Sequence, residues 1–230
     1  MNLEIAKVLK RLHYPLDVML TCVRWYVAYP LRLRHLEEMM AERGISVDRS
    51  TVHRWALKLL PALQKVFRPR KRPVGKSWRM DETYIQVHGQ WKYLYRAVDK
   101  AGNTIDFLLR AQRDKAAARR FFEKAIAQYG QPDSVTIDGS PANLAALHDI
   151  NAEREAPIVI RQSKYQNNIV EQDHRAIKRI ARPMLGFKAF RCARILHGGI
   201  ELMHMVAKGQ MQRSGWATAS AAQQFYSLAA

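Results

Sequence analysis

Two cysteines, Cys22 and Cys192, are all that the 230 residues hold, and neither belongs to a Cys-x-x-Cys pair. Their scarcity and separation exclude a zinc finger and a disulfide framework, so each reads as a small core residue. No stretch of eighteen apolar residues occurs, which excludes a transmembrane helix, and the opening residues lack a secretory-signal pattern. A soluble cytoplasmic protein, not bound to a membrane, is expected. Acids are scarce too: 20 Asp and Glu stand against 38 Lys and Arg, a formal charge of +18. That excess attracts a polyanion, nucleic acid first and an anionic membrane surface second. With 48% hydrophobic and 25% charged residues the composition is that of an ordinary globular chain, which excludes wholesale disorder.

The basic residues concentrate in residues 1–76 and 161–194. In the first region, Leu16, Met19, Leu20, Val23 and Val27 form a helical stripe that starts after Pro15. A second helix spans about 33–43 and stops at Gly44; a third, capped by Asp48, runs through Leu60 with Val52, Trp55 and Leu59 inward. Arg49, Ser50, His53 and Arg54 are left facing outward. A helix, tight turn and helix with this polar face suits the major groove of double-stranded DNA, so residues 1–67 read as a helix-turn-helix DNA-binding domain. The simpler alternative is a three-helix bundle with a basic surface. Residues 68–77, with two prolines, a glycine and several cations, read as an extended basic linker.

From Ser77 the pattern changes to strands. Aromatic and β-branched residues flank His88-Gly89-Gln90, which predicts a β-hairpin with Asp81 inside its first arm. Strand alternation puts Asp81, Thr83 and Ile85 on one side and Glu82, Tyr84 and Gln86 on the other. A third strand begins at Thr104 after a turn served by Asp99; Asp106 within it is a ligand candidate without a clear partner. A helix over 114–129, a strand over 134–138, a helix from Pro141, a strand over 157–161 and a basic helix opened by Asn167 complete an α/β order. Three antiparallel strands plus two parallel ones, with helices on both faces, follow from right-handed crossovers.

Asp138 falls at the carboxyl end of the fourth strand, where open α/β sheets collect functional groups. Glu171 lies on the last of these helices, in a polar stripe with His174, Arg175 and Lys178. Taken singly each has a bland explanation: Asp81 a solvated strand acid, Glu171 a capping-box residue, the cations a solvated face. Together, three acids without a Cys or His cluster describe a site for a hard cation, Mg²⁺ or Mn²⁺. Two ions would suit phosphodiester cleavage and transfer, with Arg175 and Lys178 holding phosphates.

Trp78-Arg-Met-Asp-Glu-Thr-Tyr84, Tyr93-Leu-Tyr-Arg-Ala-Val-Asp99, the run from Lys164 to Arg179 and Gly186-Phe-Lys188 resemble the bacterial insertion-sequence transposases of the family numbered six. The resemblance extends to Arg24-Trp-Tyr and Glu42-Arg-Gly-Ile-Ser-Val-Asp48. It implies a ribonuclease-H-like Asp-Asp-Glu catalytic domain over residues 78–210, with Asp81, Asp138 and Glu171 as metal-binding triad and Lys178 in the basic position seven residues on. It also implies DNA contacts from Arg175, Lys178 and Arg179, cleavage at element ends, strand transfer into a target, and a homodimer or larger synaptic assembly. Ile137-Asp138-Gly139-Ser140-Pro141 departs from a Thr-Asp-Lys pattern common in the family, which touches only local phosphate contacts. Residues 211–230 form a C-terminal tail without a reading. Two rivals remain open: a helix-turn-helix regulator without catalytic activity, and a ribonuclease-H-like nuclease that never joins ends.

Overall fold

His88 and Gly89 both take left-handed backbone conformations, φ 51° and 73°. This is the two-residue turn whose twist matches that of paired strands. Strands β1 (Ser77–Val87) and β2 (Gln90–Asp99) extend from it in one continuous antiparallel register. In the computed structural model, which describes residues 2–9, 13–163, 168–212 and 219–230, the chain divides into two compact units, residues 73–176 and residues 1–72 with 177–230.

In the first of these units β3 (Thr104–Arg110) pairs with β2, while β4 (Ser134–Ile137) and β5 (Val159–Gln162) extend the sheet in parallel beyond β1. The strand order β3-β2-β1-β4-β5 is that of the ribonuclease-H-like sheet the family resemblance implies. Helices α5 (Lys115–Tyr129) and α6 (Pro141–Ala152) supply Phe121, Phe122, Ala125, Leu147 and Ile150 to a core against Trp78, Met80, Tyr95 and Val135. Asp114 caps α5, its side chain accepting from the Ala117 N–H at 2.7 Å. Asp99 serves the β2–β3 turn as expected, accepting from the N–H groups of Ala101 and Asn103 at 2.9 Å each.

Helix α7 (Asn168–Ala181) starts one residue after the expected opener, Asn167, which lies outside the described residues. Its Asp173 pairs at 3.2 Å with Arg96 of β2, whose guanidinium is fully buried and also donates to Thr104 Oγ1. Asp81 and Arg96 are cross-strand partners, so this face of the sheet is opposite the one that meets α5 and α6.

The other unit contains α1 (Leu3–Leu9), α2 (Leu16–Ala28), α3 (Leu33–Ala41) and α4 (Arg49–Phe67), joined by α8 (Phe190–Ala207) and α9 (Ala221–Ser227). Asp48 caps α4 by accepting from the Ser50 N–H, and Gly44 turns the chain after α3 at φ 71°. Val52, Trp55, Leu59 and Leu63 of α4 are buried, as the helical period requires. Gly199 explains the close seating of α8 on α4: a β-carbon there would lie 2.6 Å from a Leu60 methyl. Cys22 is fully buried in α2, and burial pushes its thiol up to about 11, consistent with a core role.

These units differ from the boundaries read from the sequence. Arg68–Arg70 is a 3-10 turn, and Lys71 is buried and bridges antiparallel to Met211, so the start of the expected linker is fixed by backbone bonds. Arg72 N–H donates to Gln210 at 2.8 Å, and Gln212 N–H donates to Arg70 at 2.6 Å. Residues 177–210, expected with the sheet, group with the N-terminal helices because α8 buries Leu196, Ile200 and Leu202 there. The tail carries a helix, α9, with a Ser220–Gln223 capping box.

Candidate active site

β4 pairs β1 in parallel from Ser77–Ser134 to Arg79–Thr136. Carried two residues further, that register sets Asp138 level with Asp81. Strand β4 has already ended at Ile137, so the acid emerges at the sheet's open end and is held by a tight turn in which Ser140 N–H donates to its Oδ1 at 3.0 Å. Asp81 faces α7, and His174 Nε2 of that helix lies 3.4 Å from its Oδ2.

Glu82 completes a cluster that the alternation argument did not foresee. Asp81, Glu82 and Asp138 each offer a carboxylate oxygen within 4.8 Å of the others. Neighbours on a strand point to opposite faces, but among the described residues β1 has no strand partner on the β4 side beyond Arg79, and carboxylates from both faces can converge around that edge. The Asp-Glu doublet in the sequence was the available signal. All donors are oxygen, with partial solvent access at Asp81 and Asp138, and such a set fits a hard divalent cation.

Glu82 differs from the two aspartates in its surroundings. Its side chain is 3% exposed; Arg113 bonds one carboxylate oxygen and Asn143 Nδ2 donates to the other at 2.8 Å. Burial pushes its carboxyl above the ordinary range, opposed by the bonds from Asn143 and Arg113. The Arg113 guanidinium also lies 3.8 Å from Asp138 Oδ2. Asn143 is fully buried, with its Oδ1 unpartnered among the described residues. Arg113 and Asn143 escaped the sequence reading, since nothing in the local pattern marks a loop arginine or a helix asparagine as facing an acid.

Glu171 is exposed on α7, one turn before His174, and lies outside the converged cluster. Arg175, Lys178 and Arg179 are exposed further along the same helix. Asp106 is not a ligand: Lys124 Nζ of α5 holds it at 2.8 Å.

On α4, Arg49, Ser50 and Arg54 are exposed and His53 is half-buried. Burial, then the nearby Lys188, pushes the His53 imidazole below its ordinary value of 6.5. Its charged form is disfavoured in the fold, so this contribution to stability is present above about pH 6.5 and is lost as pH falls through the lowered folded value. His53→Gln is expected to flatten the loss of thermal stability between about pH 7 and about pH 5; an unchanged slope would place the acid sensitivity elsewhere.

A mixed sheet of this order, with one aspartate inside β1 and a second just past the end of the neighbouring β4, defines a ribonuclease-H-like core with an acidic centre. Residues 75–210 match a family model described as a DDE domain, of the IS240 transposase type. The chain is 41% identical over 163 residues to the Staphylococcus aureus transposase for the insertion sequence-like element IS431mec, covering 70% of this chain and 73% of the relative. It is 40% identical, with the same coverage, to the S. aureus transposase for IS257 in transposon Tn4003. Among solved structures it is similar to the HTLV-2 integrase catalytic core domain, with TM-score 0.44 and 16% identity over 58% of this chain and 88% of that one. The BIV integrase catalytic core gives TM-score 0.43 and 13% identity over 66% and 95%. The chain belongs to the DDE transposases of bacterial insertion sequences, in the family numbered six. No helix among the described residues is long and apolar enough to cross a membrane.

Proposed function

We propose that this transposase cleaves DNA at the ends of its element and joins them to a target in a reaction that depends on Mg²⁺ or Mn²⁺, with Asp81, Asp138 and Glu171 as ligands. The convergence of Asp81 and Asp138 from adjacent parallel strands carries the reading. Bound divalent ions, two in this reading, would supply activation of the attacking water or 3′-hydroxyl and stabilise the leaving oxygen. The sheet holds the two aspartates, and Glu171 would join them from α7, whose His174 lies 3.4 Å from Asp81. Glu82 acts as a positioning residue: it holds Arg113 beside Asp138. Arg175, Lys178 and Arg179 contact backbone phosphates of the bound DNA.

Arg49, Ser50, His53 and Arg54 of α4 are assigned to the element ends. Asp48 sets the start of that helix, and the exposed Arg49 and Arg54 flank its first turns, suited to phosphates and base edges. His53, held neutral at pH 7 by burial, offers hydrogen bonds rather than charge. Strand transfer needs paired ends, so a dimer or larger assembly on double-stranded DNA is the working form.

Incubating the protein with labelled terminal-repeat DNA, a target plasmid and Mg²⁺ tests this. Nicked ends and joined products are expected, both abolished by chelation and by Asp81→Asn. Binding without nicking would make the protein a regulator; nicking without joining would make it a nuclease.

A further inference from the structure

The outer half of the β1–β2 hairpin leaves an aromatic surface bare. Tyr84 pairs across the strands with Tyr93, Gln86 with Trp91, and Tyr93 in turn with Arg110 of β3, so these side chains share one face of the sheet with Glu82. Nearer the strand base the same face is filled by Trp78, Met80 and Tyr95 against α5 and α6. Beyond Glu82 that cover thins: Tyr93 is partly buried against the edge of this core, while Tyr84 is 48% exposed and Trp91 62%. The rings are arranged against one another: Tyr84 and Tyr93 have centroids 5.3 Å apart, and Tyr84 and Trp91 6.3 Å, with tilted and edge-on planes.

Three aromatic rings held at the border of solvent on a rigid ribbon call for an occupant, since exposed ring surface is costly in water. Its chemistry is indicated by what surrounds it. Arg110 lies beside Tyr93 on the same face, and Arg113 bonds Glu82 on that face too. The chain as a whole carries +18. Flat rings flanked by guanidinium groups match the bases and phosphates of an unpaired strand, because every base offers a π-face and every nucleotide a negative charge. Paired bases inside a duplex present no free face to stack on. A second copy of this chain fits less well: the exposed parts of Tyr84 and Trp91 amount to roughly 200–300 Å², whereas a stable dimer buries about 800 Å² per partner, and a second copy would bring the same positive charge.

Position matters as well. Tyr84 follows Glu82 by two residues, about 7 Å along the strand, or about two base steps of a stacked strand. We infer that Tyr84, Trp91 and Tyr93 form a stacking platform for unpaired bases next to the strand end held at Asp81 and Asp138. This rests on the proposed transposase reaction for the identity of that strand, but the platform is tested by binding alone.

The experiment uses the full chain in EDTA, so that no chemistry occurs, with duplexes of the element end carrying a short single-stranded 3′ overhang. 2-Aminopurine is placed at each overhang position in turn. Quenching of at least one position is expected on binding wild type. Trp91→Ala and Tyr84→Leu should each abolish that quenching and weaken overhang binding roughly fivefold or more, whereas Trp91→Phe restores both. Affinity for blunt duplex should not change. Because Trp91 is largely exposed, its variants keep the wild-type melting temperature, which is checked in parallel. Unchanged quenching and affinity in Trp91→Ala and Tyr84→Leu would overturn the proposal. So would a change confined to molar mass by light scattering, which would assign the patch to self-association. If wild type neither cleaves nor joins DNA yet these variants lose the quench, the platform stands and the transposition reading fails; the reverse pattern removes the platform alone.

Discussion

Glu171→Gln is expected to cut strand transfer by roughly 10³-fold or more, the scale set by losing several kcal/mol of metal-borne charge stabilisation. Glu82→Gln is expected to cost only about 10- to 100-fold, the usual range for a residue that orients ligands rather than supplying one. The two acids are separated by their surroundings. Glu82 lies in the acid cluster, but it is buried and both its oxygens are already engaged by Arg113 and Asn143. Glu171 lies outside the cluster, yet it is exposed and sits one turn from His174, the residue of α7 that reaches Asp81. Single-turnover strand transfer at saturating Mn²⁺, together with DNA-end binding in EDTA, distinguishes them: binding survives in both variants and only the chemistry falls. Should Glu82→Gln lose the thousandfold and Glu171→Gln less than tenfold, the third ligand is Glu82 and the assignment of Glu171 is wrong.

The two outcomes correspond to what could and could not be read in the chain. Alternation along the first arm placed Asp81, and the β-αβ order placed Asp138 at the end of a strand next to it; both follow from local periodicity and the handedness of crossovers. The hairpin turn was legible because His-Gly is short and flanked by strand formers, and the Asp48 cap because capping is a one-turn interaction. Convergence of Glu82 was not legible. It depends on β4 stopping at Ile137, a tertiary fact that cancels the usual separation of strand faces. Arg113 and Asn143 come from a loop and a helix far from Glu82 in sequence, and no spacing rule links them. The division of the chain failed at residues 68–77 for a related reason. Proline, glycine and charge describe local stiffness and solubility, but the backbone of Arg70, Lys71 and Arg72 is held by residues 210–212, some 140 positions away. Helix α8 had no reading in the sequence, and its neighbours Leu60 and Val27 lie more than a hundred positions away.

Asp173→Ala is expected to lower stability by about 3–5 kcal/mol, a large share of the 5–15 kcal/mol typical of folded domains. Arg96 is the reason. Its guanidinium has no solvent exposure, and Asp173 pairs with it at 3.2 Å. Removing that carboxylate takes an ion pair from a guanidinium that has no solvent exposure and that arginine cannot discharge by deprotonation. A surface pair would be worth less than 1 kcal/mol, so the measured size itself reports burial. Urea denaturation followed by far-ultraviolet circular dichroism gives the value. The double replacement Arg96→Met with Asp173→Leu should recover most of it, because apolar side chains of similar volume remove the desolvation cost along with the attraction. If Asp173→Ala costs under 1 kcal/mol, the pair is not holding α7. The pair also has a catalytic consequence: it clamps α7 to the sheet two residues after Glu171 and one before His174, so the recovered double variant separates stability from geometry. It should fold, and its residual strand transfer reads how far a charged clamp, rather than mere packing, supports the role proposed for Glu171.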